Sequence, residues 1–585
     1  MNMNMHPEFL LNQIQSPKDL KKLSIDELTQ LASEIRTLIL EKDAKIGGHL
    51  SPDLGIVELT IAYHYVFDAP EDKIIWDISH QTYPHKMLTG RAFAWLDPDK
   101  YEDVTPYTNP EESPYDYFAL GHTSASIALA TGMAKARDLR GGNENIMALI
   151  GDGSMTGGVA FEGLNNAAIE KHNLVVVLND NQWSIDENVG GMVKLLADLR
   201  ASNGQAQNNP FKAMGFDYRY EAKGNDIASM IKAFEAVKDV DHPILLHVNT
   251  LKGKGYEPAL QSPGTHHWVA PFNLEDDSPK FEAPAGPTAN SVALDVIKDA
   301  IDQGQKVLAI NAAIPGAFGL SDIKQNYPDN YVDVGIAEQE SISFAAGAVK
   351  NGVTPVVFQN STFLQRAFDQ LSHDVAANEL PIVMFVSASI NGGSKTHLGN
   401  FDQVMISNLP NWIYLAPTTL AEEKAMLTWA LNQKDNPVAI KKPARQIPVD
   451  GPVLDDYAKP AYQVKLGKDI AILALGSMYH QVGVPAAKEL GATVVNPVSA
   501  NILDTKTLDE LAASHRIIIT LEDNAVDGGF GQKVASYLGD RDDILVKNYG
   551  ALREYTDQVS GKELLDRYHL TPKNIVNDAK VLLEK

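Results

Sequence analysis

The chain contains no cysteine among its 585 residues. This excludes disulfides, thiolate metal sites and cysteine nucleophiles, and it agrees with a reducing compartment. No apolar run approaches the roughly eighteen residues that a membrane-spanning helix needs. The N-terminus, MNMNMHPEFLLNQIQ, has no basic region followed by an apolar stretch and predicts no secretory signal. We therefore expect a cytoplasmic protein without a membrane partner.

Basic residues are scarce relative to acidic ones. The chain has 50 Lys and Arg against 75 Asp and Glu, so its formal net charge is −25. This balance argues against nucleic-acid and anionic-membrane partners, which are bound through basic patches. A phosphorylated substrate would need local cations to overcome the acidic field. The candidates, each of which taken singly is expected to be a solvated surface charge, are Lys252, Lys254, Arg366, Lys395, Lys441, Lys442 and Arg445.

The chain is too long for a single hydrophobic core. Apolar runs of strand length alternate with helical patterns in three blocks, which predicts parallel βα units. Segments 272–290 and 443–459 separate the blocks, and their proline and acidic residues indicate linkers. We predict an α/β fold with three consecutive α/β domains and mainly parallel sheets, over residues 1–275, 288–445 and 460–585.

Polar residues follow two neighbouring strands of the first block. A predicted strand, Ile146–Ile150, ends in a Gly-Asp-Gly turn with Asp152, a helix is expected from about Thr156, and a second strand, Leu174–Leu178, is followed by Asn181. Parallel strands deliver such residues to one sheet edge, where α/β folds bind ligands. A carboxylate, an amide oxygen and a nearby main-chain carbonyl suit Mg²⁺. Without this context, Gly-Asp-Gly is a common turn, and Asp or Asn at a strand end only caps the chain.

Glu338 occupies a similar position in the second block. We predict a strand over Tyr331–Val334, a turn over Gly335–Gln339 and a helix over Ser341–Ala348. The turn would place the Glu338 carboxylate at a strand's carboxyl end. The alternative is a glutamate at a helix start that only interacts favourably with the helix dipole.

These residues and the phrases around them resemble the transketolase-type thiamine diphosphate enzymes, and most closely the 1-deoxy-D-xylulose-5-phosphate synthase family. The resemblance covers nearly the whole chain. Besides the Gly-Asp-Gly segment, it is carried by GGHLSPDLGIVELTIAYHYVF (47–67), IIWDISHQTYPHKMLTGR (74–91), YDYFALGHTSASIALATGMA (115–134), LKGKGYEPA (251–259), DVGIAEQESISFAAG (333–347), STFLQRAFDQLSHDVA (361–376), THLGNFD (396–402) and ITLEDNAVDGGFG (519–531).

The resemblance implies thiamine diphosphate and Mg²⁺ as cofactors. It implies that Asp152 and Asn181 bind the metal together with the main-chain oxygen of Trp183, and that Phe363 stacks on the aminopyrimidine ring. Glu338 would hydrogen-bond the ring nitrogen and so activate the cofactor. The other residues implied to contact the cofactor are His80, Gly121, His122, Thr123, Gly153, Ser154, Asn181 and Tyr256, and the histidines implied to move protons are His49, His80, His267 and His397.

The resemblance also implies a reaction. The family condenses pyruvate, a 2-oxo acid donor, with glyceraldehyde 3-phosphate, an aldehyde acceptor, and releases CO₂. We therefore expect a transferase of the transketolase type, acting as a homodimer with its active site between the first two domains. Two alternatives remain open: transfer of a ketol or acyl unit between a different donor and acceptor sugar, and a catalytically silent relative kept for assembly or regulation.

The chain departs from the family pattern on the substrate side. In SASINGGSKTH (387–397), Ser or Ala stands at the family's arginine, and Gly393 or Ser394 stands at its aspartate. In KKPARQ (441–446), a second arginine is replaced by Ala444 or displaced to Arg445. We therefore expect complete cofactor machinery but altered substrate recognition. Further differences are Asn360 in place of a tyrosine, Glu340 in place of a histidine, and shorter loops before Tyr107–Pro114 and between Val193 and Phe211.

Overall fold

The computed structural model describes residues 5–281, 285–390, 392, 394–459 and 461–584. The chain divides into two compact units. Unit 1 comprises Met1–Pro284 and Gly335–Ala337, and unit 2 comprises Ala285–Val334 and Glu338–Lys585. Within the described ranges, no helix combines the length and apolar character that a bilayer crossing requires.

Unit 1 is built on one five-stranded parallel sheet with strand order β1-β2-β3-β5-β4. Its strands are β1 (Lys73–Trp76), β2 (Ile146–Gly151), β3 (Leu174–Asp180), β4 (Asp217–Glu221) and β5 (Pro243–Asn249). The central strands read as continuous apolar runs because they are buried along nearly their whole length, as in sheets covered on both faces.

The helices of unit 1 include one that is buried almost throughout, Leu50–Val66. Its α-helices are Pro17–Leu20, Ile25–Ile46, Leu50–Val66, Tyr83–Lys86, Phe93–Leu96, Ser126–Arg140, Gly158–Ala167, Gly191–Ala201, Pro210–Met214, Ile227–Glu235 and Glu257–Gln261. Short 3₁₀ turns are Leu10–Gln13, Pro98–Lys100 and Ser154–Thr156, and a π-type turn is Met87–Arg91.

Unit 2 holds two sheets. The first is a six-stranded parallel sheet of order β10-β11-β9-β8-β6-β7. The second has order β12-β14-β13-β15-β16 and is parallel except for its edge strand β12. The strands are β6 (Val307–Asn311), β7 (Tyr331–Asp333), β8 (Thr354–Asn360), β9 (Val383–Ser387), β10 (Ile413–Leu415), β11 (Val438–Lys442), β12 (Gln463–Lys465), β13 (Ile470–Ala474), β14 (Thr493–Asn496), β15 (Ile517–Ala525) and β16 (Leu545–Ala551).

The helices of unit 2 lie between these strands along the chain. The α-helices are Ala289–Asp302, Pro315–Phe318, Ser321–Asn326, Glu338–Lys350, Ser361–Leu364, Asp402–Ser407, Leu420–Asn432, Val484–Leu490, Thr505–Ser514, Phe530–Tyr537, Gly561–Arg567 and Pro572–Leu583. Shorter turns are Pro328–Asn330, Gln365–Ala367, Gln370–Val375, Ala376–Asn378 and Tyr479–Gly483.

The predicted fold class is confirmed, because the three sheets are mainly parallel and alternate with helices. The second and third sheets share one compact unit, and the three domain ranges stay a prediction. One local prediction was wrong: Glu338 is not in a turn but is the first residue of the helix Glu338–Lys350. The helix begins earlier than its apolar pattern because acidic residues are favourable in a first turn.

The helix expected from about Thr156 also begins elsewhere. Residues Ser154–Thr156 form a 3₁₀ turn, and the α-helix begins at Gly158. The two are separated by Gly157, whose backbone is extended at φ −76° and ψ 143°. A Cβ at Gly157 would lie 2.1 Å from Ser124 Oγ, so this close approach requires glycine.

Candidate active site

Asp152 and Asn181 meet at the carboxyl edge of the unit 1 sheet. Gly151 of β2 pairs with Asn179 of β3, and the Asp152 amide donates to the Asn179 carbonyl at 3.2 Å. The Asp152 carboxylate accepts hydrogen bonds from the amides of Gly153 (2.9 Å) and Gln182 (2.5 Å). The adjoining Asn181 places its side-chain oxygen 3.1 Å from the Trp183 amide. The predicted strand register therefore holds at this edge.

The electrostatics of Asp152 fit a bound cation. Its side chain is buried, at 2% exposure. Burial, reinforced by the nearby negative charge of Asp180, raises its pKa well above the ordinary value. Asp180 itself is paired with Arg200 (2.5 Å) and His247 (2.8 Å). A divalent cation at Asp152 would offset the cost of its buried charge.

The oxygens that the resemblance assigns to the metal would suit a hard cation. No cluster of three or more His, Cys, Asp or Glu side chains suited to a metal occurs in the described part of the chain. Magnesium takes few carboxylates and completes its shell with other oxygens, phosphates and water. One carboxylate, the Asn181 amide and the Trp183 carbonyl fit that preference.

A loop between β1 and β2 is held beside this edge. Asp77 follows β1 and accepts from the amides of Ser124 (2.7 Å) and Ser126 (3.0 Å). The Ser124 hydroxyl donates to the Ser154 carbonyl at 2.8 Å. The structure thus brings together two groups of residues that the resemblance assigned to the cofactor. These groups are Gly121, His122 and Thr123 in the loop and Gly153 and Ser154 after β2.

Three of the four candidate histidines form one cluster in unit 1. Ring centroids of His49 and His80 are 5.1 Å apart, those of His80 and His267 are 5.0 Å apart, and those of His49 and His267 are 6.0 Å apart. The Tyr107 ring packs edge-on against His49 at 5.6 Å. Residues from four separate chain segments therefore converge on this cluster.

The backbone before His80 is strained. Ile78 and Ser79 have φ values of 56° and 60°, in the left-handed region that non-glycine residues rarely adopt. The Ser79 hydroxyl compensates by donating to the Leu120 carbonyl at 2.6 Å and accepting from the Thr108 amide at 3.0 Å. Strain of this kind persists only where surrounding contacts enforce it, and it concentrates at functional sites.

Lys252 joins the histidine cluster and is not a solvated surface charge. Its side chain is buried, and its ammonium group donates to the Ser184 carbonyl and lies 3.0 Å from His267 Nδ1. Burial lowers the pKa of Lys252 from 10.5 to about 7. Burial, followed by the charge of Lys252, lowers the pKa of His267 well below 6.5. The pair is therefore poised to share or release a proton near neutral pH.

Tyr256 lies after β5, in the loop that also carries Lys252. Its hydroxyl donates to Asp277 Oδ1 at 3.0 Å, and its ring centroid lies 6.0 Å from that of His266. Tyr256 therefore lies beside His266, the residue that precedes His267 in the sequence. Its contact with the cofactor stays a prediction.

The remaining site candidates belong to unit 2. Burial raises the pKa of Glu338 above 4.5, against the opposing charge of Arg366, whose Nη1 lies 3.5 Å from Glu338 Oε2. The Phe363 ring meets His397 edge-on, with centroids 5.6 Å apart. The Thr396 hydroxyl lies 2.8 Å from His397 Nδ1. Each pair forms within unit 2 from elements that follow strands β7 to β9.

The basic candidates for phosphate binding are mostly engaged by acidic side chains. Lys254 pairs with Glu58 at 2.8 Å, and Lys395 lies 3.9 Å from Asp557 Oδ2. Like Lys252, Lys441 is buried rather than solvated, and it forms an ion pair with Asp523. The other two candidates are Lys442, which donates to the Ala317 carbonyl at 3.1 Å, and Arg445, which is exposed.

The other residues that depart from the family pattern on the substrate side lie in unit 2. Asn360 caps the helix Ser361–Leu364 by accepting from the Thr362 amide at 3.0 Å, and Glu340 is exposed. The Ser394 and Thr396 hydroxyls lie 2.7 Å apart. Gly393 lies outside the described residues.

Sequence reasoning missed three residues of the site. Asp77 directly follows β1 within the phrase WDISHQ, so the strand-end signal that identified Asp152 also applied to it. Ser124 and Tyr107 carried no such signal, because their roles arise from loop packing against Asp77 and His49.

Family models match each of the three α/β blocks of the chain. A family model described as 1-deoxy-D-xylulose-5-phosphate synthase matches residues 11–210. Models described as transketolase, pyrimidine binding domain, and transketolase, C-terminal domain, match residues 287–448 and 459–575. Among solved structures, transketolase from Leishmania mexicana is 14% identical, with a TM-score of 0.44 over 96% of this chain and 98% of that one.

Curated relatives extend over nearly the full length. The chain is 36% identical to the 1-deoxy-D-xylulose-5-phosphate synthase of Natranaerobius thermophilus over 97% of each protein. It is 37% identical to that of Desulfitobacterium hafniense over 98% of each. The chain therefore belongs to the 1-deoxy-D-xylulose-5-phosphate synthase family, whose members are transketolase-type thiamine diphosphate transferases.

Proposed function

We propose that this chain condenses pyruvate with glyceraldehyde 3-phosphate to 1-deoxy-D-xylulose 5-phosphate and releases CO₂. The observation that carries the proposal is its identity of 36–37% to synthases of that name over 97–98% of the chain. Two features of unit 1 support it: Asp152 and Asn181 lie at one edge of the sheet, and His49, His80 and His267 form a cluster. The resemblance further favours a cytoplasmic homodimer.

The residues after β2 and β3 would hold the cofactors. Thiamine diphosphate, when bound, supplies the carbon nucleophile and the electron sink that decarboxylation of a 2-oxo acid requires. Asp152, Asn181 and the Trp183 carbonyl would hold Mg²⁺, which in turn takes diphosphate oxygens as ligands. Gly153 lets the turn after β2 pack closely against Ser184, since a Cβ at position 153 would lie 2.7 Å from Ser184 Cβ.

Residues of both units would move protons in the reaction. Glu338 is buried and its pKa is raised, so its carboxyl holds a proton more readily than an exposed glutamate and can donate it to a ring nitrogen. On the substrate side, His49, His80 and the Lys252–His267 pair would move protons at carbonyl and hydroxyl oxygens. His397, beside Phe363, is the corresponding candidate in unit 2.

The test is product analysis with both substrates. The protein with thiamine diphosphate and Mg²⁺ is incubated with carboxyl-labelled pyruvate, with and without glyceraldehyde 3-phosphate, and CO₂ and the sugar product are measured. We expect CO₂ release and 1-deoxy-D-xylulose 5-phosphate only when both substrates are present. Ketol transfer from a ketose phosphate without CO₂ release would contradict the proposal, as would cofactor binding without turnover of either kind.

A further inference from the structure

Near its end, strand β15 has three consecutive buried polar residues, Glu522, Asp523 and Asn524, with exposures of 0%, 4% and 0%. Buried polar groups are costly unless they are hydrogen-bonded. The proposed chemistry assigns these residues no role, although they open the phrase EDNAVDGGFG. Their partners indicate what they do.

The side chain of each residue is bonded to a side chain that lies on, or follows, a strand of the six-stranded sheet. Glu522 Oε2 accepts from Gln403 Nε2 at 2.8 Å, and Asp523 pairs with Lys441 of β11. Asn524 Nδ2 donates to Asp402 Oδ1 at 2.9 Å. The end of β15 is therefore hydrogen-bonded to residues at the carboxyl edge of the six-stranded sheet, all within unit 2.

The hydrogen bond from Asn524 continues through Asp402 to Ser361. Asp402 Oδ1 also accepts from the Ser361 hydroxyl at 2.5 Å, and Asp402 Oδ2 accepts from the Tyr414 hydroxyl. Ser361 is the first residue of the helix Ser361–Leu364, which carries Phe363 two positions later. Ser361, Asp402 and Asn524 are all fully buried.

Glu522 has a different role, which is to cap a helix. Its carboxylate accepts from the amides of Phe530 and Gly531, both at 2.9 Å, and so caps the helix Phe530–Tyr537. The Asn524 Oδ1 instead accepts from the next residue in the chain, the Ala525 amide, at 3.1 Å. Of the three residues, Asn524 is thus the one whose bonds lead to Ser361.

We infer that Asn524 and Asp402 are positioning residues that fix Ser361, and through it the Phe363 ring, so that the C-terminal domain orients the surface on which the cofactor's pyrimidine ring stacks. This inference rests on the proposed function, because it takes Phe363 as the stacking residue. It assigns the C-terminal domain a part in cofactor binding that is exerted through buried hydrogen bonds and without contact with the cofactor.

The experiment measures the equilibrium Kd for thiamine diphosphate, with saturating Mg²⁺, beside the unfolding midpoint of the cofactor-free protein. Asn524→Ala and Ser361→Ala each remove one hydrogen bond of the path, and each should raise Kd by about three- to tenfold. Phe363→Ala should raise Kd as well. Adding Asn524→Ala to Phe363→Ala should raise it no further, because residues on one path are not additive.

The matched control is Ser477→Ala. Ser477 is buried and donates to Asp523 Oδ2 at 3.3 Å, so its loss disturbs the same strand end without touching the path to Ser361. Its Kd should equal that of the wild type. Should Asn524→Ala fail to fold, Ser361→Ala interrupts the same path by removing a single hydroxyl, and its Kd decides.

Two results would overturn the inference alone. One is wild-type Kd in both Asn524→Ala and Ser361→Ala, with only the unfolding midpoint lowered. The other is full additivity of Asn524→Ala and Phe363→Ala. Absence of cofactor binding by the wild type would instead overturn the proposed function together with the inference.

Discussion

At the scale of single residues, each unit contains ionisable site candidates whose pKa values are moved by burial. Asp152 and Glu338 are shifted upward and Lys252 downward, each with burial as the largest cause. The sequence identified the two acids by their positions after strands. It could not predict that Lys252 is buried, because an isolated lysine in a loop carries no periodic pattern.

Glu338→Gln should slow turnover while leaving cofactor binding nearly intact. The amide keeps the shape of the side chain but cannot release or take up the proton, which costs about 10²- to 10⁴-fold in kcat. Steady-state kinetics and cofactor titration measure the two effects separately. Glu340→Gln, an exposed change two residues along the chain, is the control and should behave as wild type. Unchanged kcat in Glu338→Gln would refute the role given to this carboxyl.

Cofactor affinity should weaken as pH rises above neutrality. Lys252 is protonated below its pKa of about 7 and donates to the carbonyl of Ser184, which follows Trp183 in the chain. A diphosphate held beside Asp152 and Trp183 would therefore favour the protonated form. Deprotonation of the free protein above that value therefore raises the Kd for thiamine diphosphate, by at most about tenfold per pH unit. Lys252→Arg keeps its charge and should flatten the profile between about pH 7.5 and 9. Parallel profiles for wild type and Lys252→Arg would contradict this account.

At the scale of elements, strand ends were predictable and loop placement was not. The predicted strands Ile146–Ile150 and Leu174–Leu178 match β2 and β3, because buried parallel strands are continuous apolar runs. The helix start at Glu338 was missed, because a first turn of acidic residues lacks the apolar period of the helix body. The position of Tyr107 against His49 depends on contacts distant in sequence.

The loop that carries Tyr107 is anchored by a buried charge network. Asp116 accepts from His85 Nε2 (2.9 Å), from Arg91 Nη1 (2.6 Å) and from the Asn109 amide (2.8 Å). Burial alone would raise the pKa of Asp116, but its bonds to His85 and Arg91 outweigh burial and hold the pKa below 3.8. Ionised Asp116 thus stabilises the fold above pH 3.8, and this contribution is lost as pH falls towards the lower folded-state pKa.

Asp116→Asn should lower the free energy of unfolding by about 1.5–3 kcal/mol at pH 7, because it removes the charge that accepts from Arg91 and His85. Arg91 keeps a second partner in Glu112, whose Oε2 lies 3.2 Å from Arg91 Nη1. Urea denaturation measures the change. Asp241→Asn, at a side chain that is 98% exposed, should change stability by less than about 0.5 kcal/mol. Equal stability of the Asp116→Asn variant and the wild type would mean that the network is not a stabilising anchor.

At the scale of the whole molecule, similarity along nearly the entire length identified the family and its cofactor class. The similarity also favours glyceraldehyde 3-phosphate as the acceptor over a different sugar. Most of the cations that could replace the arginine missing from 387–397 are engaged by other side chains. Lys441 is paired with Asp523 and Lys254 with Glu58. Such pairings depend on side chains far apart in sequence, and a single sequence does not reveal them.

The net charge of −25 predicts a salt dependence. An acidic protein repels anionic substrates at long range, and about 0.15 M salt screens charges beyond about 8 Å. Raising the ionic strength from about 0.01 M should therefore increase kcat/KM for glyceraldehyde 3-phosphate. Neutral glyceraldehyde, as acceptor, should respond less. A fall of kcat/KM with salt would indicate local attraction strong enough to reverse the global field.

The central claim is that Asp152 and Asn181 hold a metal-bound thiamine diphosphate. The most direct measurement is the unfolding midpoint of the wild type and of Asp152→Ala, titrated with thiamine diphosphate in the presence and absence of Mg²⁺. A ligand bound by the folded state raises the midpoint, and the rise grows with the logarithm of the ligand concentration once this exceeds Kd. We predict a rise in the wild type that requires Mg²⁺ and is absent in Asp152→Ala. No rise in the wild type, or an equal rise in the variant, would contradict the account.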